Sequence, residues 1–331
     1  MTTPRMSAVV VAWNAGSTLG ACVDSLRASA ELAGESLQIV VVDNGSSDGA
    51  VDDLRLVAGD VAVRNPLNAG YGVAAAQGMA RSAAPWILLV NPDLTVEQDF
   101  VGALLSAADT ADPAIASLVP EMRFASRPEL VNCRGLTVDE IGVPAEIDAG
   151  SATVYGATTP SIPVLGGSSG CCLLRTEHVR RLGGPEPAFF AYLEDVDLAL
   201  RLSCAGYGTT FVPDAIAFHE GSASTGERSP LKIFLVARNR RLLFRLHGPR
   251  SLRATAWRSV ADLGHAVYSS LGAPVAPWAG RLEAVRFRRY IRFLGRSRAE
   301  SGPCISSYDR PKRATLRETL SRKRRIAGRD G

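Results

Sequence analysis

Three carboxylates lie within four positions of this sequence, at Glu194, Asp195 and Asp197, directly after a cluster of aromatic residues. Apolar side chains in residues 196–203 recur at the spacing of one helix face, and Gly206 suits the end of such a helix. The carboxylates are therefore predicted at a helix N-terminus, where the helix dipole favours the ionised form. An ionised carboxylate beside an apolar wall can act as a general base.

A purely structural interpretation of these acidic residues stays open at this point. Acidic first turns are common on helices that have no catalytic role. Asp197 is spaced to pair with Arg201 one turn later, so we interpret it as structural. The residues alone do not decide between the two interpretations for Asp195.

Strands and helices alternate through the first third of the chain. Continuous apolar runs predict buried strands, and segments with helical spacing lie between them. The predicted strands are 7–13, 38–43, 61–63 and 86–90, and the predicted helices start near 18, 73 and 97. Alternation with short connections predicts an α/β fold with a doubly wound, mostly parallel sheet.

Polar residues follow each of these four strands. They are Asn14, Asp43, Asn65 and Asp93. Because the carboxyl ends of parallel strands meet at one edge of a sheet, these side chains are expected to converge where such folds bind ligands. Each of them could also be an ordinary turn former.

The rest of the chain changes character twice. Residues 114–164 look irregular, with short β-like pieces, and two strands are expected at 210–212 and 215–219, the second ending at His219. Helices that mix basic and large apolar residues are predicted at 231–246, 254–271 and 282–294. The predicted organisation is a catalytic domain at 1–225, an amphipathic helical region at 226–300 that associates with a membrane, and a basic, disordered tail at 301–331.

The charge of the chain is divided unevenly along its length. The 331 residues carry a net charge of +4, but from Ser229 onward 24 lysines and arginines face 6 aspartates and glutamates, a net +18. The first 228 residues therefore carry −14. A basic tail on an acidic body predicts an anionic partner, either a membrane surface or a nucleic acid. No segment fits a transmembrane helix or a signal peptide, so we expect a cytoplasmic protein whose six cysteines are reduced thiols.

Several segments, in their order and spacing, resemble glycosyltransferase family 2, the inverting transferases of GT-A fold, and most closely its rhamnosyltransferases. The resemblance covers residues 8–224 and the pair Arg238-Asn239. The matching segments are Val9-Val-Val-Ala-Trp-Asn14, Ile39-Val-Val-Val-Asp-Asn-Gly-Ser-Ser-Asp48, Asn68-Ala-Gly-Tyr-Gly72, Leu88-Leu-Val-Asn-Pro-Asp93, Gly183-Gly184, 189–198 and 213–219.

The resemblance implies a role for each matching polar residue. It implies that Asp195 is the catalytic base, which takes the proton from an acceptor hydroxyl, and that Glu194 orients the acceptor or the base. It implies a nucleoside-diphosphate sugar as donor, first of all dTDP-L-rhamnose, with UDP-galactofuranose, UDP-GlcNAc and GDP-mannose as alternatives. The implied nucleotide-sugar-binding residues are Trp13, Asn14, Asp43, Asn68, Gly70 and Asn91.

The resemblance also implies a metal cofactor, Mg²⁺ or Mn²⁺. Asp93 stands where the metal-binding D-x-D motif of the family ends, and His219 matches a histidine that completes the metal and diphosphate site. Asn91 replaces the first aspartate of the motif, so one negative charge is missing. A divalent cation would neutralise the charge that develops on the leaving nucleoside diphosphate.

Features of two other classes of protein also occur in this sequence. Residues 70–75 fit the G-x-G-x-x-A pattern of NAD-dependent oxidoreductases, but the loop 65–69 separates them from their strand, whereas the glycines of that pattern directly follow the first strand. The basic C-terminal region suits a nucleic-acid-binding protein, but no zinc, RRM or KH signature is present, so we expect no nucleic-acid partner.

We therefore expect a glycosyltransferase that lies peripherally on the inner face of the plasma membrane. Its acceptor would be a saccharide on a polyprenyl diphosphate carrier, in cell-wall or surface-polysaccharide assembly. The basic helices after residue 226 would bind the anionic membrane surface; the alternative is a solvated helical cap. A homo-oligomer is left open.

Overall fold

The structure is a computed structural model, and it describes residues 3–139, 142–153, 163–221 and 229–248, together with nine positions between 252 and 279. The strands of this part of the chain are β1 Met6–Ala12, β2 Leu37–Asp43, β3 Val61–Arg64, β4 Trp86–Val90, β5 Leu94–Val96, β6 Ile115–Phe124, β7 Arg127–Cys133, β8 Leu136–Val138, β9 Pro144–Glu146, β10 Cys171–Arg175 and β11 Gly208–His219. Its helices are α1 Thr18–Leu32, α2 Tyr71–Arg81, α3 Phe100–Thr110, α4 Thr176–Arg181, α5 Glu194–Cys204 and α6 Pro230–His247.

One mixed sheet organises the described residues. Its strand order is β3-β2-β1-β4-β10-β6-β11-β5, and β7 pairs with β6. The first four strands in this order are parallel, β10 runs antiparallel to β4 and β6, and β11 is parallel to β6. The predicted doubly wound, mostly parallel α/β sheet is confirmed.

The two faces of the sheet are covered by different helices. Along β1, Val10 faces the core formed with α1 and α3, whereas its neighbour Val9 faces the core formed with α2 and α5. This alternation is the two-residue period of a strand buried on both faces. The apolar run of β1 is therefore explained by a layer of helices on either side.

The second half of the chain differs from the expectation in two places. Residues 114–164, predicted to be irregular, contain the long central strand β6 and the strands β7, β8 and β9. The two strands expected at 210–212 and 215–219 are one strand, β11, whose pairing register with β6 shifts between Val212 and Ile216. A bulge of this kind breaks the sequence pattern without ending the strand.

Helix α6 packs against the sheet domain. Its Leu242 and Leu243 are buried in a third core cluster together with Phe189, Val196 and Leu200, which lie in and before α5. The sequence placed this helix in a membrane-associating region that starts at residue 226. That region as a membrane contact stays a prediction, but its first helix also buries an apolar face against α5.

Two further expectations concern the cysteines and the C-terminal helices. Cys204 is disulfide-bonded, so the expectation of reduced thiols is wrong for this residue. The helix predicted at 254–271, apart from a few positions, the helix predicted at 282–294 and the tail 301–331 lie outside the described residues. In the part of the chain that is described, no helix combines the length and apolarity needed to cross a membrane.

Candidate active site

A cavity of about 560 Å³ opens at the carboxyl ends of β1 and β4. Seven of the ten site residues expected from the sequence line it: Trp13, Asn68, Asn91, Asp93, Glu194, Asp195 and His219. They lie just after β1 and β4, at the end of β11, at the start of α5 and in the loop before α2, and they span more than 200 positions of sequence. The fold therefore collects these residues into one concave site, as open α/β sheets do at their ligand-binding edge.

The other three expected residues, Asn14, Asp43 and Gly70, do not line this cavity, although each is next in sequence to a residue that does. Asn14 has a positive φ of 49°, and its Oδ1 accepts a hydrogen bond of 2.9 Å from the Ser47 backbone N–H. Asp43 accepts a hydrogen bond of 2.9 Å from the Ser46 backbone N–H, and its other oxygen lies 3.5 Å from the Arg64 guanidinium. Asn14 and Asp43 thus shape the loop that follows β2, and their contact with a nucleotide stays a prediction.

Asn44 organises this edge of the cavity, and the sequence analysis did not single it out. Its side chain is buried, and its Oδ1 accepts hydrogen bonds of 3.0 Å from Asn65 Nδ2 and from the Ala69 backbone N–H. Its Nδ2 donates a hydrogen bond of 3.0 Å to Asn68 Oδ1. A single amide therefore ties the end of β2 to the loop that carries Asn68, a link between segments that spacing does not reveal.

Asp93 and His219 meet at the cavity although 126 positions separate them. Antiparallel pairing of β5 with β11 sets His219 opposite Leu94, and His219 Nε2 lies 3.4 Å from Asp93 Oδ1. His219 Nδ1 lies 3.1 Å from Asn132 Oδ1. When Nδ1 carries the proton and donates to this amide oxygen, the lone pair of Nε2 faces the cavity.

This pair fits a hard divalent cation with few protein ligands. Among the residues that the structure describes, no group of three or more His, Cys, Asp or Glu side chains is arranged to hold a metal ion. Mg²⁺ is commonly held by only one or two protein carboxylates, with phosphate oxygens and water completing its shell. With such an ion, Asp93 would supply a carboxylate and His219 a nitrogen ligand, and Asn132 would orient that imidazole as hydrogen-bonded partners of metal ligands do.

The start of α5 brings both candidate carboxylates to the cavity. Helix α5 begins at Glu194, as the sequence predicted, and Asp197 pairs with Arg201 at 2.8 Å. Asp195 Oδ2 accepts a hydrogen bond of 3.1 Å from the Ser169 backbone N–H, and its Oδ1 accepts one of 2.8 Å from the Val196 N–H. Two backbone donors therefore point at the carboxylate of Asp195.

A glycine allows this approach of the loop to the helix. A Cβ atom at Gly166 would lie 2.3 Å from Cβ of Ala199 in α5, closer than any side chain permits. The loop 166–170 can therefore lie on the helix, and Ser169 reaches Asp195 from there. The serines of this loop, Ser168 and Ser169, were not among the site residues expected from the sequence.

The environments of the two carboxyl groups differ. Burial raises the pKa of Glu194 well above its usual range, and the neighbouring charge of Asp195 raises it further. Burial also raises the pKa of Asp195, but the hydrogen bonds from the Ser169 and Val196 backbone and from the Ser168 side chain oppose that shift. Glu194 Oε2 is buried without a hydrogen-bond partner among the described residues. Burial therefore raises the pKa of both carboxyl groups, and the hydrogen bonds from the loop 166–170 and from Val196 favour the ionised form of Asp195.

Helix α6 and the loop of residues 188–193 before α5, called the aromatic loop, form the mouth of the cavity. Leu231, Lys232 and Leu235 line it from α6, and Tyr192 lines it from the loop before α5. The Lys232 ammonium lies 5.5 Å from the centre of the Tyr192 ring. The mouth thus combines an aromatic ring, a cation and apolar side chains. The residues that α6 contributes were not among the site residues expected from the sequence.

A mixed α/β sheet with a polar cavity at its ligand-binding edge is the architecture of the GT-A fold, which solved glycosyltransferases share with this chain. Over residues 7–183 the chain matches the family described as glycosyl transferase family 2, and it belongs to that family. The expected glycosyltransferase is confirmed, and the oxidoreductase alternative is set aside.

Curated relatives and solved structures agree with this assignment. The chain is 28% identical over 258 residues to the N-acetylglucosaminyl-diphospho-decaprenol L-rhamnosyltransferase of Mycobacterium tuberculosis, covering 68% of this chain and 78% of the relative. It is 29% identical over 223 residues to an N-acetylglucosaminyltransferase of Rhizobium sp. (strain N33), covering 65% of this chain and 48% of the relative. The mannosyltransferase PcManGT from Pyrobaculum calidifontis, in complex with GDP-Man and Mn²⁺, has the same fold with a TM-score of 0.54 and 15% identity, over 93% of this chain and 86% of its own. GalNAc-T7 with UDP, GalNAc and Mn²⁺ is similar in fold, with a TM-score of 0.55 and 16% identity, over 74% of this chain and 48% of its own.

Proposed function

We propose that this chain is an inverting rhamnosyltransferase. It transfers L-rhamnose from dTDP-L-rhamnose to a hydroxyl of a saccharide carried on polyprenyl diphosphate, in cell-wall or surface-polysaccharide assembly. The mycobacterial relative, named for a rhamnosyl donor and a diphospho-decaprenol acceptor, supports this choice of substrates. The observation that carries the proposal is the convergence of Asp195, Asp93 and His219 on one cavity.

In this proposal Asp195 is the general base. Its carboxylate takes the proton of the acceptor hydroxyl, the acceptor oxygen forms a bond to the anomeric carbon, and the bond from that carbon to the diphosphate breaks with inversion. The backbone N–H groups of Ser169 and Val196 stabilise the ionised form of Asp195 and so oppose the effect of burial on its pKa. Glu194 forms a hydrogen bond with the acceptor through Oε2, which has no hydrogen-bond partner among the described residues.

Asp93 and His219 are the proposed protein ligands of Mg²⁺ or Mn²⁺. The cation, when bound, neutralises charge on the diphosphate leaving group. The Mn²⁺ in the two neighbours of the same fold supports this assignment. Asn91 contributes its amide to the same edge without adding negative charge.

The mouth of the cavity suits an acceptor that is part sugar, part phosphate and part lipid. The Tyr192 ring offers a face for a sugar, Lys232 offers a cation for a phosphate, and Leu231 is 47% exposed beside them. An anionic membrane surface would bring the lipid-linked acceptor to this mouth. The basic C-terminal region, with its net charge of +18, would hold the protein peripherally on the inner face of the plasma membrane.

A donor panel tests the proposed function. The full-length protein is incubated with Mn²⁺, an N-acetylglucosaminyl-diphospho-polyprenol acceptor and, in turn, dTDP-L-rhamnose, UDP-galactofuranose, UDP-GlcNAc or GDP-mannose, and the glycosylated lipid is identified by mass. Asp195→Asn serves as the inactive control. Transfer from dTDP-L-rhamnose alone is the expected result. Transfer from UDP-GlcNAc instead would overturn the proposed donor and favour the activity named in the Rhizobium relative.

A further inference from the structure

The loop that leads into α5 has an unfavourable backbone conformation. Phe190, Tyr192 and Leu193 have positive φ angles of 63°, 69° and 68°, in the region that side chains other than glycine rarely adopt. Such residues persist only where surrounding contacts hold them, and they cluster at functional sites. All three line the cavity, so the contacts that hold this loop also shape the site.

Two adjacent residues of α6 supply most of these contacts. Asn239 is fully buried, and its Nδ2 donates hydrogen bonds to the carbonyl oxygens of Phe189, Ala191 and Tyr192 at 2.9, 2.7 and 2.7 Å. An amide has two hydrogens, so at least one of them is shared between two of the three carbonyls. One side chain thus holds three peptide groups of the loop in a fixed relation.

Arg238 completes the same network. Its Nη2 donates hydrogen bonds to the carbonyl oxygens of Ala188 and Phe189 at 3.0 and 2.6 Å. Its Nε donates one of 2.9 Å to Asn239 Oδ1, which fixes the orientation of that amide. Arg238 is itself buried, so water does not compete for these hydrogen bonds.

The start of helix α2 also contacts this loop. The Gly72 N–H donates a hydrogen bond of 3.4 Å to the Phe190 carbonyl oxygen. A Cβ atom at Gly70 would lie 2.7 Å from that same oxygen, and Gly70 has a φ of 89°. The glycines that fitted a dinucleotide fingerprint therefore allow α2 to approach the loop.

The loop is connected directly to the turn of α5 that carries the candidate base, Asp195. The Leu193 carbonyl oxygen accepts a hydrogen bond of 3.1 Å from the Asp197 N–H, the first turn of α5, and Asp195 lies within that turn. A substitution at Asn239 would therefore displace both Tyr192, which lines the cavity, and the carboxylate of Asp195. The residues at the ends of β1, β2 and β4 lie on other elements and have no hydrogen bond to Arg238 or Asn239 among the described contacts.

We propose that Arg238 and Asn239 are positioning residues of the transfer reaction: they fix the loop 188–193 and the start of α5 so that Asp195 faces the acceptor. This inference rests on the proposed function for the role of Asp195. It makes α6 a part of the catalytic unit, in addition to any contact with a membrane. It assigns to Arg238 and Asn239 the acceptor side of the site and leaves the nucleotide side unaffected.

The first experiment compares transfer with nucleotide binding in Asn239→Ser and Arg238→Lys. Acceptor kcat/KM is expected to fall about 10²-fold in Asn239→Ser, because a small displacement of a catalytic group has an effect of that size. Arg238→Lys keeps the charge but loses the forked donor, so its loss should be smaller. The affinity for dTDP with Mn²⁺, measured by titration calorimetry, should stay unchanged in both variants.

The control on the same helix is Ile233→Val. Ile233 lines neither the cavity nor a core cluster, so this variant should transfer at the wild-type rate. Loss of dTDP affinity in parallel with transfer would show a general loss of structure and overturn the positioning role. Transfer at the wild-type rate by a folded Asn239→Ser would overturn it as well.

Hydrogen exchange followed by mass spectrometry tests whether Arg238 and Asn239 hold the loop 188–193, and it needs no assay of activity. Peptides that cover residues 186–196 should exchange faster in Asn239→Ser or in Arg238→Lys, whereas peptides from β1 and β4 should be unchanged. Unchanged exchange at 186–196 in a folded variant would overturn the inference. If the wild-type protein transfers no sugar from any donor of the panel, the proposed function fails. The exchange result still decides whether Arg238 and Asn239 hold the loop.

Discussion

His247 Nε2 donates a 2.7 Å hydrogen bond to Asp197 Oδ1, and this joins the last turn of α6 to the first turn of the helix that carries Asp195. The side chains are 1% and 0% exposed, and Arg201 donates a hydrogen bond of 2.8 Å to the other oxygen of Asp197. Arg201 also donates to the carbonyl oxygens of Leu182 and Gly184. The first turn of α5 is thus fixed from α6 and from the turn before the aromatic loop.

His247→Ala is expected to destabilise the fold by about 1–3 kcal/mol, because it removes a partner from a buried carboxylate. Urea unfolding followed by circular dichroism measures the difference. Leu231→Ala, on the exposed first turn of the same helix, is the control and should change stability by less than about 0.5 kcal/mol. An unfolding midpoint equal to that of the wild type in His247→Ala would contradict the structural role.

Asp195→Asn is expected to lower sugar transfer by about 10²–10⁴-fold, the usual effect of losing a general base. The amide keeps the size of the side chain but cannot take the acceptor proton. Affinity for dTDP should be retained, and calorimetry with Mn²⁺ checks this. A variant that keeps near wild-type turnover would remove Asp195 from the base role.

The pH dependence of stability should carry the signature of the raised pKa of Asp195. Burial raises the pKa of Asp195 in the folded protein, so ionisation favours the unfolded chain, where an aspartate titrates at about 3.9. Asp195→Asn should therefore have a higher Tm than the wild type at pH values above the folded pKa. The difference should close as the pH falls below the ordinary value, because both states of the wild type are then protonated. Thermal unfolding across this range measures the difference, and a difference independent of pH would contradict the assignment.

The same shift predicts the acid limb of activity. The base must be ionised, and burial moves the loss of its charge to higher pH than for an exposed aspartate. Transfer should therefore decline on the acid side within a range where dTDP binding is still intact. If transfer declined only in the pH range where an exposed aspartate titrates, the base would lie in a more solvated position than Asp195.

Asp93→Ala and Asp43→Ala should differ in how they respond to metal. Asp93 lies beside His219, so its loss is expected to weaken dTDP binding in the presence of Mn²⁺ and to leave little dependence on metal. Asp43 shapes the loop after β2 with Ser46 and Arg64, so its loss should weaken dTDP binding with or without metal. Calorimetry with dTDP, with Mn²⁺ or with chelator, separates the two. Equal dependence on metal in both variants would count against a metal role for Asp93.

The basic C-terminal region is expected to bind anionic vesicles at low salt and to be released at high salt, since basic residues near such a surface contribute about 1 kcal/mol each. Because α6 is part of the core, the test uses the full chain rather than a truncation near Ser229. Replacing Arg286, Arg288, Arg289 and Arg292 by Gln should reduce co-sedimentation with the vesicles. Replacing the four basic residues 322–325 removes the same charge without neighbouring aromatic residues and should have a smaller effect.

Two outcomes of the vesicle experiment would contradict the membrane role. An equal loss of vesicle binding in both variants would show that binding depends on net charge alone. It would exclude insertion of Phe287, Tyr290, Ile291 or Phe293 into the membrane. No binding by the wild-type protein would leave this region as a helical cap. Duplex DNA in a parallel arm distinguishes a membrane from a nucleic acid as the anionic partner.

The amino-acid sequence by itself determined the parts of this protein that depend on local pattern. Continuous apolar runs identified β1, β2 and β4, because strands buried on both faces need no alternation, and polar residues after them marked the ligand-binding edge. The start of α5 at Glu194 and the pair of Asp197 with Arg201 followed from helical spacing. The family resemblance rested on the same local segments.

Tertiary structure decided everything that joins distant segments. The bulge in β11 divides one strand into two apparent ones, and the pairing of β5 with β11 sets Asp93 against His219. Spacing along the chain could not show that Asn239 holds the aromatic loop, or that His247 holds Asp197 from 50 positions away. An asparagine or a histidine looks the same in the sequence whether it forms a turn or holds a distant segment. Its role is set by the carbonyl and carboxylate oxygens that folding brings to it.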